Sequence, residues 1–393
     1  MQKDFVLLGD GVHDDAPAIQ AMLDSGRARV ELPEAQVCYL ITRPLRIHSG
    51  QQLVLPRYCT VRLADGSDCH MLENADLQNG NGNFEVTGGI WDMNNLGQGK
   101  NPFHFPHEQH PDYDGLCMYF RHVKNIRLAH MTLKDPITFA VTLDAASYFT
   151  VEDLTFDFNY GNPWAVNMDG VHLDGDCHYG VIRNLKGSCY DDMVALNADE
   201  GVGGPISHIQ IDGLYSVDCH SAVRLLSCAY PVEDVSISNV HGSFYQYCVG
   251  LTKFYEGEAK GYFDGIVLDR IYAAKAPRYS VYQKDGMYVF PFIWVESGLM
   301  VKNLQVSNVY RKESSVAVET IGVGEEAHVQ RLSVNNVTQE NRLSPDETFP
   351  LLRNCGQIDT LYLGLADSGT DPLLCNEGAI TRMLRPLQEE TGQ

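Results

Sequence analysis

Leu304-Gln305-Val306-Ser307-Asn308-Val309 and, 28 residues later, Leu332-Ser333-Val334-Asn335-Asn336-Val337 share one pattern, apolar-x-apolar-x-x-apolar with a polar residue before the last apolar position. Working backward, the pattern recurs at Ile266/Leu268/Ile271, Val235/Ile237/Val240, Ile209/Ile211/Leu214, Ile182/Leu185, Phe149/Val151/Leu154 and Ile126/Leu128/Met131. Successive copies lie roughly 23 to 38 residues apart, one solenoid coil plus a loop of variable length. Each copy alternates like a half-buried strand, and the Asn, Asp or Gly before the final apolar residue suits a bend into the next strand. One copy cannot bury its apolar face alone, whereas a stack can, with inward aliphatic side chains in ladders and outward side chains available for binding. Helical repeats would show a 3.6-residue period, and leucine-rich repeats a stricter leucine spacing. The expected fold is a single-stranded right-handed parallel β-helix of about ten coils. A large β-sandwich with similar strands is the rival architecture. Strand-like runs at 84–90 and 316–320 are assigned to the same stack.

The ends differ from the middle. Asp14 and Asp15 precede Ala16-Pro17-Ala18-Ile19-Gln20-Ala21-Met22-Leu23, an acidic cap, an early proline and apolar residues at helical spacing. The expectation is a short helix closing the open end of the solenoid. Residues 1–343 are read as the β-helix with this cap, and 344–393, rich in proline and acids, as a distal cap and tail of the same domain.

Acidic residues outnumber basic ones 51 to 29, for a formal net charge of −22. Such a field repels phosphate backbones and anionic membrane surfaces, so neither nucleic acid nor membrane is expected as a partner. The start, MQKDFVLLGDGVHDD, has no long apolar leader region, and no later stretch supplies eighteen uninterrupted apolar residues. Eleven cysteines without a CxxC pair read as buried or free thiols more than as a disulfide framework. The expected location is cytoplasmic, or secreted or periplasmic if a leader has been removed.

The densest chemical signal is Asn167-Met168-Asp169-Gly170-Val171-His172-Leu173-Asp174, followed about one coil later by Tyr190-Asp191-Asp192-Met193-Val194-Ala195-Leu196. A lone Asp-Asp pair is ordinarily a turn cap or a solvated loop. Here three carboxylates, Asp169, Asp191 and Asp192, fall on one expected face of coils spaced about 4.7–4.9 Å apart. Glycoside cleavage uses that arrangement: one carboxylic acid protonates the leaving oxygen while a carboxylate activates water or attacks the sugar. Crowded like charges also keep one member protonated near neutral pH. Calcium-assisted lyase chemistry is the sharp alternative, and it needs a basic residue such as Arg224 or Lys253 nearby.

With these residues in view, the chain resembles glycoside hydrolase family 28, the polygalacturonase group, whose signature reads NTDG, GDD, GHG and RIK. The matching positions are Asn167-Met168-Asp169-Gly170, Tyr190-Asp191-Asp192 and His220, and the opening Leu8-Gly9-Asp10-Gly11 through Gln20 is similar to the entry segment of pectin-lyase-like β-helices. The likeness spans about residues 5 to 340. It implies that Asp191 is the general acid, that Asp169 and Asp192 hold and activate the water of an inverting displacement, and that no cofactor or metal is needed. Two motifs depart from the family. GHG is replaced by Cys219-His220-Ser221, and the region of RIK reads Gly250-Leu251-Thr252-Lys253-Phe254. The clamp for a galacturonate carboxylate is thereby weakened, because a displaced lysine does not reproduce a bidentate arginine.

Around the acids, Asn167, His172, Trp164, Tyr190, His220, Arg224 and Lys253 are the expected substrate-binding residues. Aromatic rings such as Trp164 and Tyr190 stack on sugar faces or simply pack. Tyr245, Tyr247 and Tyr255 could extend the groove or pack beneath it. His104, His107 and His110 raise a zinc hypothesis, but the prolines among them oppose the helix that would align all three, and a loop overhanging one end of the groove is preferred. A closed end would make the enzyme exo-acting. The expectation is a glycoside hydrolase whose partner is an oligo- or polysaccharide, with galacturonosides the leading class. A lyase or epimerase on the same fold and a non-catalytic tailspike or adhesin are its rivals.

Overall fold

The computed structural model describes residues 6–105, 113–253, 260–277 and 289–385. The chain is a right-handed parallel β-helix, every recorded strand pair being parallel and nearly all joining a strand to one a coil later. It falls into two compact units, residues 1–204 and 205–393.

In the first unit each coil contributes strands to three ladders. One passes through Leu45–Ile47, Leu72–Asn74, Met118–Arg121, Val141–Asp144, Val171–Leu173 and Asp192–Asn197. Another passes through Arg29–Glu31, Gln52–Val54, Gly82–Thr87, Lys124–Ala129, Ser147–Glu152 and His178–Gly187. The third runs from Asp10–Asp14 to Thr155–Asp157. Inward positions stack like on like: Val141, Val171 and Val194 are fully buried in register, as are Leu143, Leu173 and Leu196. The Ile182 copy lacks its first apolar residue because the Phe149 ring fills that space, and a Cβ on Gly180 would lie 2.1 Å from it.

In the second unit the repeat read from sequence is the register itself. Ile209, Val235, Ile266, Leu304, Leu332 and Leu361 are consecutive partners, and so are Ile211, Ile237, Leu268, Val306, Val334 and Leu363. The polar residue before the last apolar one adopts positive φ at Asn239, Asn308 and Asn336, and at Asp153 and Asn184 in the first unit. Asparagine tolerates that left-handed bend better than most residues. Its amide also links coils: Asn336 Nδ2 donates to Asn308 Oδ1 at 2.6 Å.

Three expectations change. Residues 344–385, expected as a distal cap and tail, instead continue the ladders through Leu352–Asn354, Gln357–Leu363, Leu374–Asn376 and Ala379–Leu384. Residues 316–320 are not a strand; Ile321–Val323 takes that place. The helix Ala16–Leu23 forms and buries Ala16, Ile19, Met22 and Leu23. Asp15 does not cap it, because its carboxylate accepts from the Leu8 and Gly9 N–H groups at 2.7 and 3.0 Å.

Candidate active site

The pairing of Val171–Leu173 with Asp192–Asn197 matches Val171 to Val194 and His172 to Ala195. Continuing that register backward sets Asp169 beside Asp192. The Gly170 N–H donates to the Asp192 carbonyl at 2.9 Å, and the Asp192 N–H donates to Asp169 Oδ1 at 3.0 Å. This approach requires glycine: a Cβ at 170 would meet the Met193 carbonyl oxygen at 2.5 Å and Phe156 ring carbons at 2.7 Å. Asn167 turns the chain into the strand at φ 50°. Asp169 and Asp192 are 3% and 1% exposed and Asp191 6%, so all three sit at the base of the surface.

Burial raises the Asp169 carboxyl to about 8, the charges of Asp191 and Asp192 adding to the rise and the His172 imidazole opposing it. His172 Nδ1 lies 2.6 Å from Asp169 Oδ2, and its Nε2 lies 2.9 Å from Glu200 Oε2 and 3.3 Å from Asp174 Oδ1. Burial alone would drive this imidazole down. Hydrogen bonds with Asp169, Asp174 and Glu200 overturn that and hold it well above its ordinary value. Burial likewise raises Asp174, against the pull of His172. The ring is clamped face to face on Phe139, centroids 3.9 Å apart and planes within 5°. His172 does have the expected outward parity, but it is 1% exposed and both of its ring nitrogens are turned to carboxylates and not to the surface. Its contacts orient Asp169 instead. Asp174, Glu200 and Phe139 were not singled out from sequence; the Asp169-x-x-His172-x-Asp174 spacing was the available signal.

Trp164 is 41% exposed. Its ring lies 5.2 Å from Phe105 and 6.4 Å from His104, whose Nε2 hydrogen-bonds Asn167 Oδ1 at 2.7 Å. The described part of the histidine loop therefore reaches the strand entry beside Asp169. His107 and His110 lie outside the described residues. Tyr190 meets Tyr160 edge to face at 6.1 Å.

In the second unit His220 is 2% exposed, with Tyr245 edge-on at 5.2 Å and Ser221 Oγ 3.3 Å from Nδ1. Arg224 Nε donates to Thr252 Oγ1 at 3.3 Å, and the Lys253 N–H donates to Glu296 Oε2 at 2.7 Å. Tyr245 and Tyr247 are buried packing residues, 5% and 2% exposed; Tyr255 lies outside the described residues. The outward position held by Arg224 passes on successive coils to Gly250, Trp294, Gly322 and Arg353. Trp294, Gly322 and Arg353 line a cavity of about 330 Å³ with Glu296 and Glu319. Trp294 carries no sequence signal, being an isolated aromatic outside the repeated pattern.

No protein-family model matches the chain, and no curated protein sequence matches it. Solved structures do. The tailspike of E. coli bacteriophage HK620 aligns at TM-score 0.63 and 12% identity over 96% of this chain and 76% of its own. The family 28 exopolygalacturonase of Yersinia enterocolitica aligns at 0.61 and 15% over 98% and 77%. The surface adhesin PfbA of Streptococcus pneumoniae aligns at 0.53 and 13% over 100% and 96%. These likenesses establish the pectin-lyase-like β-helix fold. Among the described residues no helix is long and apolar enough to cross a membrane, and none of the eleven cysteines forms a disulfide.

Proposed function

We propose that the chain hydrolyses a glycosidic bond, with Asp191 donating the proton to the leaving oxygen and Asp192 and Asp169 holding and activating the attacking water. The observation that carries this reading is the 3.0 Å hydrogen bond from the Asp192 N–H to the Asp169 carboxylate, which joins the two acidic motifs across adjacent coils. Burial and the like charges of Asp191 and Asp192 raise the Asp169 carboxyl, so this member of the cluster keeps its proton near neutral pH and positions the water while Asp192 activates it. The exposed Trp164 ring beside Asn167 supplies an apolar platform of the kind that sugar faces stack upon. Single displacement with inversion calls for about 6.5–9.5 Å between acid and base, enough for one water.

The substrate class is a galacturonoside or a related plant or microbial glycan, the family 28 likeness favouring the former and the net charge of −22 the less anionic members of the latter. The hydrogen bond between His104 and Asn167 supports an exo-acting mode, in which this loop would close one end of the groove. The cytoplasmic location expected from the thiols draws no support from the neighbours, which include a surface adhesin and a phage tailspike.

The test is turnover of a glycan panel by the purified chain, with product anomers followed by NMR and Asp191→Asn as the comparison. Hydrolysis with inversion, abolished in the variant while its melting temperature is unchanged, is the expected result. An unsaturated uronate product would assign a lyase. Tight glycan binding without any turnover would make the chain a binding protein.

A further inference from the structure

Behind Asp169 lies a second cluster whose members take no direct part in the proposed hydrolysis. His172 Nδ1 is engaged by Asp169, as in metal-bound histidines whose remote nitrogen is held by a carboxylate. Its Nε2 then faces the Glu200 and Asp174 carboxylates at 2.9 and 3.3 Å. A neutral imidazole donating through Nδ1 would aim a lone pair at two anions, so something positive belongs at that position. One ligand atom each from His172, Asp174 and Glu200 lie within 4.8 Å of one another.

Two further observations point to an ion and not to a proton alone. Asn197 Oδ1 and Thr142 Oγ1 are buried without a hydrogen-bond partner. Thr142 is the register partner of His172, and Asn197, one residue past the Leu173–Leu196 pair and 2% exposed, stands beside Asp174. Buried oxygens are rarely orphaned unless a ligand or water serves them. Charge points the same way. Asp144 is 1% exposed and packs with Asp174 against Gly201, where a Cβ would meet Asp144 Oδ1 at 2.6 Å and Asp174 Cγ at 2.7 Å. Asp144, Asp169, Asp174 and Glu200 are faced by Arg121, 3.2 Å from Asp144, and by the imidazole. With the Asp169 carboxyl holding its proton and the imidazole charged, one negative charge remains.

We propose that His172, Asp174 and Glu200, with the Asn197 side-chain carbonyl, form a binding site for a divalent transition-metal ion such as Zn²⁺ or Mn²⁺. This departs from the sequence expectation of no metal. An imidazole ligand favours these ions over Ca²⁺, which takes oxygen ligands. The ion ties the 199–204 loop to the coil of Asp169 and fixes the imidazole that holds that carboxylate. Its role is positional, acting on Asp169 through the His172 imidazole.

The test is titration of chelator-treated, full-length protein with Zn²⁺ and Mn²⁺ by calorimetry, with Ca²⁺ as comparison and metal content by mass spectrometry. One equivalent of Zn²⁺ or Mn²⁺ is expected, with a raised melting temperature and affinity lowered about tenfold or more in Glu200→Gln and in Asp174→Asn. Co²⁺ substitution adds a visible absorption band that is lost in the same variants. Wild-type protein that binds neither ion, prefers Ca²⁺, or binds equally well in both variants overturns the proposal. Because no substrate enters these measurements, a failed glycan screen leaves them unaffected.

Discussion

Gly170→Ala isolates the contact on which the acidic site depends. The added methyl would fall 2.5 Å from the Met193 carbonyl oxygen and 2.7 Å from two Phe156 ring carbons. The first is backbone held in a ladder, and Phe156 is 3% exposed, so neither can swing away. Relief comes from spreading the coils, which stretches the Gly170-to-Asp192 and Asp192-to-Asp169 hydrogen bonds of 2.9 and 3.0 Å. Overpacking costs about 1–3 kcal/mol and each of the two weakened bonds about 0.5–1.5 kcal/mol, a total of about 2–6 kcal/mol. Misplacing catalytic groups by about 1 Å costs on the order of 100-fold in rate. Thermal unfolding reads the first effect, and turnover per folded molecule on the substrate found by the glycan panel reads the second. Gly26→Ala is the control, with nothing within 4 Å of its Cβ and only a φ of 75° to strain. Near-normal stability and turnover in Gly170→Ala would refute the reasoning, because the two acidic coils would then not need their close approach.

Three further outcomes follow from the same structure. Trp164→Ala, which removes an exposed platform and no buried contact of the acids, should raise KM with little change in kcat, checked by steady-state kinetics. His70 sits between Glu73 and Asp114 at 3.0 and 2.8 Å; burial alone would lower it, but these hydrogen bonds lift it to about 9. A raised folded-state value stabilises fully below the unfolded value of 6.5 and fades as pH rises through 9, so His70→Gln should lower the melting temperature at pH 6 and hardly at all near pH 9.5. Lys275 is driven down by burial to about 7 from 10.5, so the unfolded chain holds the extra proton between those values and stability climbs with pH across that window. The stability difference between Lys275→Met and the parent should therefore favour the variant most below pH 7 and shrink toward pH 10; a difference independent of pH would contradict it.

The ladders could be read from sequence because a β-helix repeats a local rule. Val306 and Val334 stack because each follows the same apolar alternation, and Asn308 and Asn336 bend the chain because an asparagine accepts positive φ. The rule failed where its cues thinned. The strand Gln357–Leu363 pairs in register with its predecessor, yet the asparagine is missing and an acidic, proline-containing stretch precedes it, so the sequence of these coils reads as a cap.

The acidic site divides along the same line. That Asp169 and Asp192 meet was legible, since integer register across one coil brings them together. That His172 is shut away was not, because alternation tells which face a side chain takes and not what covers that face. The cover comes from Phe139, on the turn before the neighbouring strand, and from Glu200, which follows Asp192–Asn197 and hydrogen-bonds back onto the ring. Polar residues that alternation assigns to solvent, Thr142, Asp144, His172, Asp174 and Asn197, thus become a buried row of outward side chains on three successive coils. A row of that kind destabilises the fold unless its charges and lone pairs are met, because buried carboxylates without partners are costly. Its persistence beside Asp169 is the physical reason to expect a bound cation there, independently of what the surface above it cleaves.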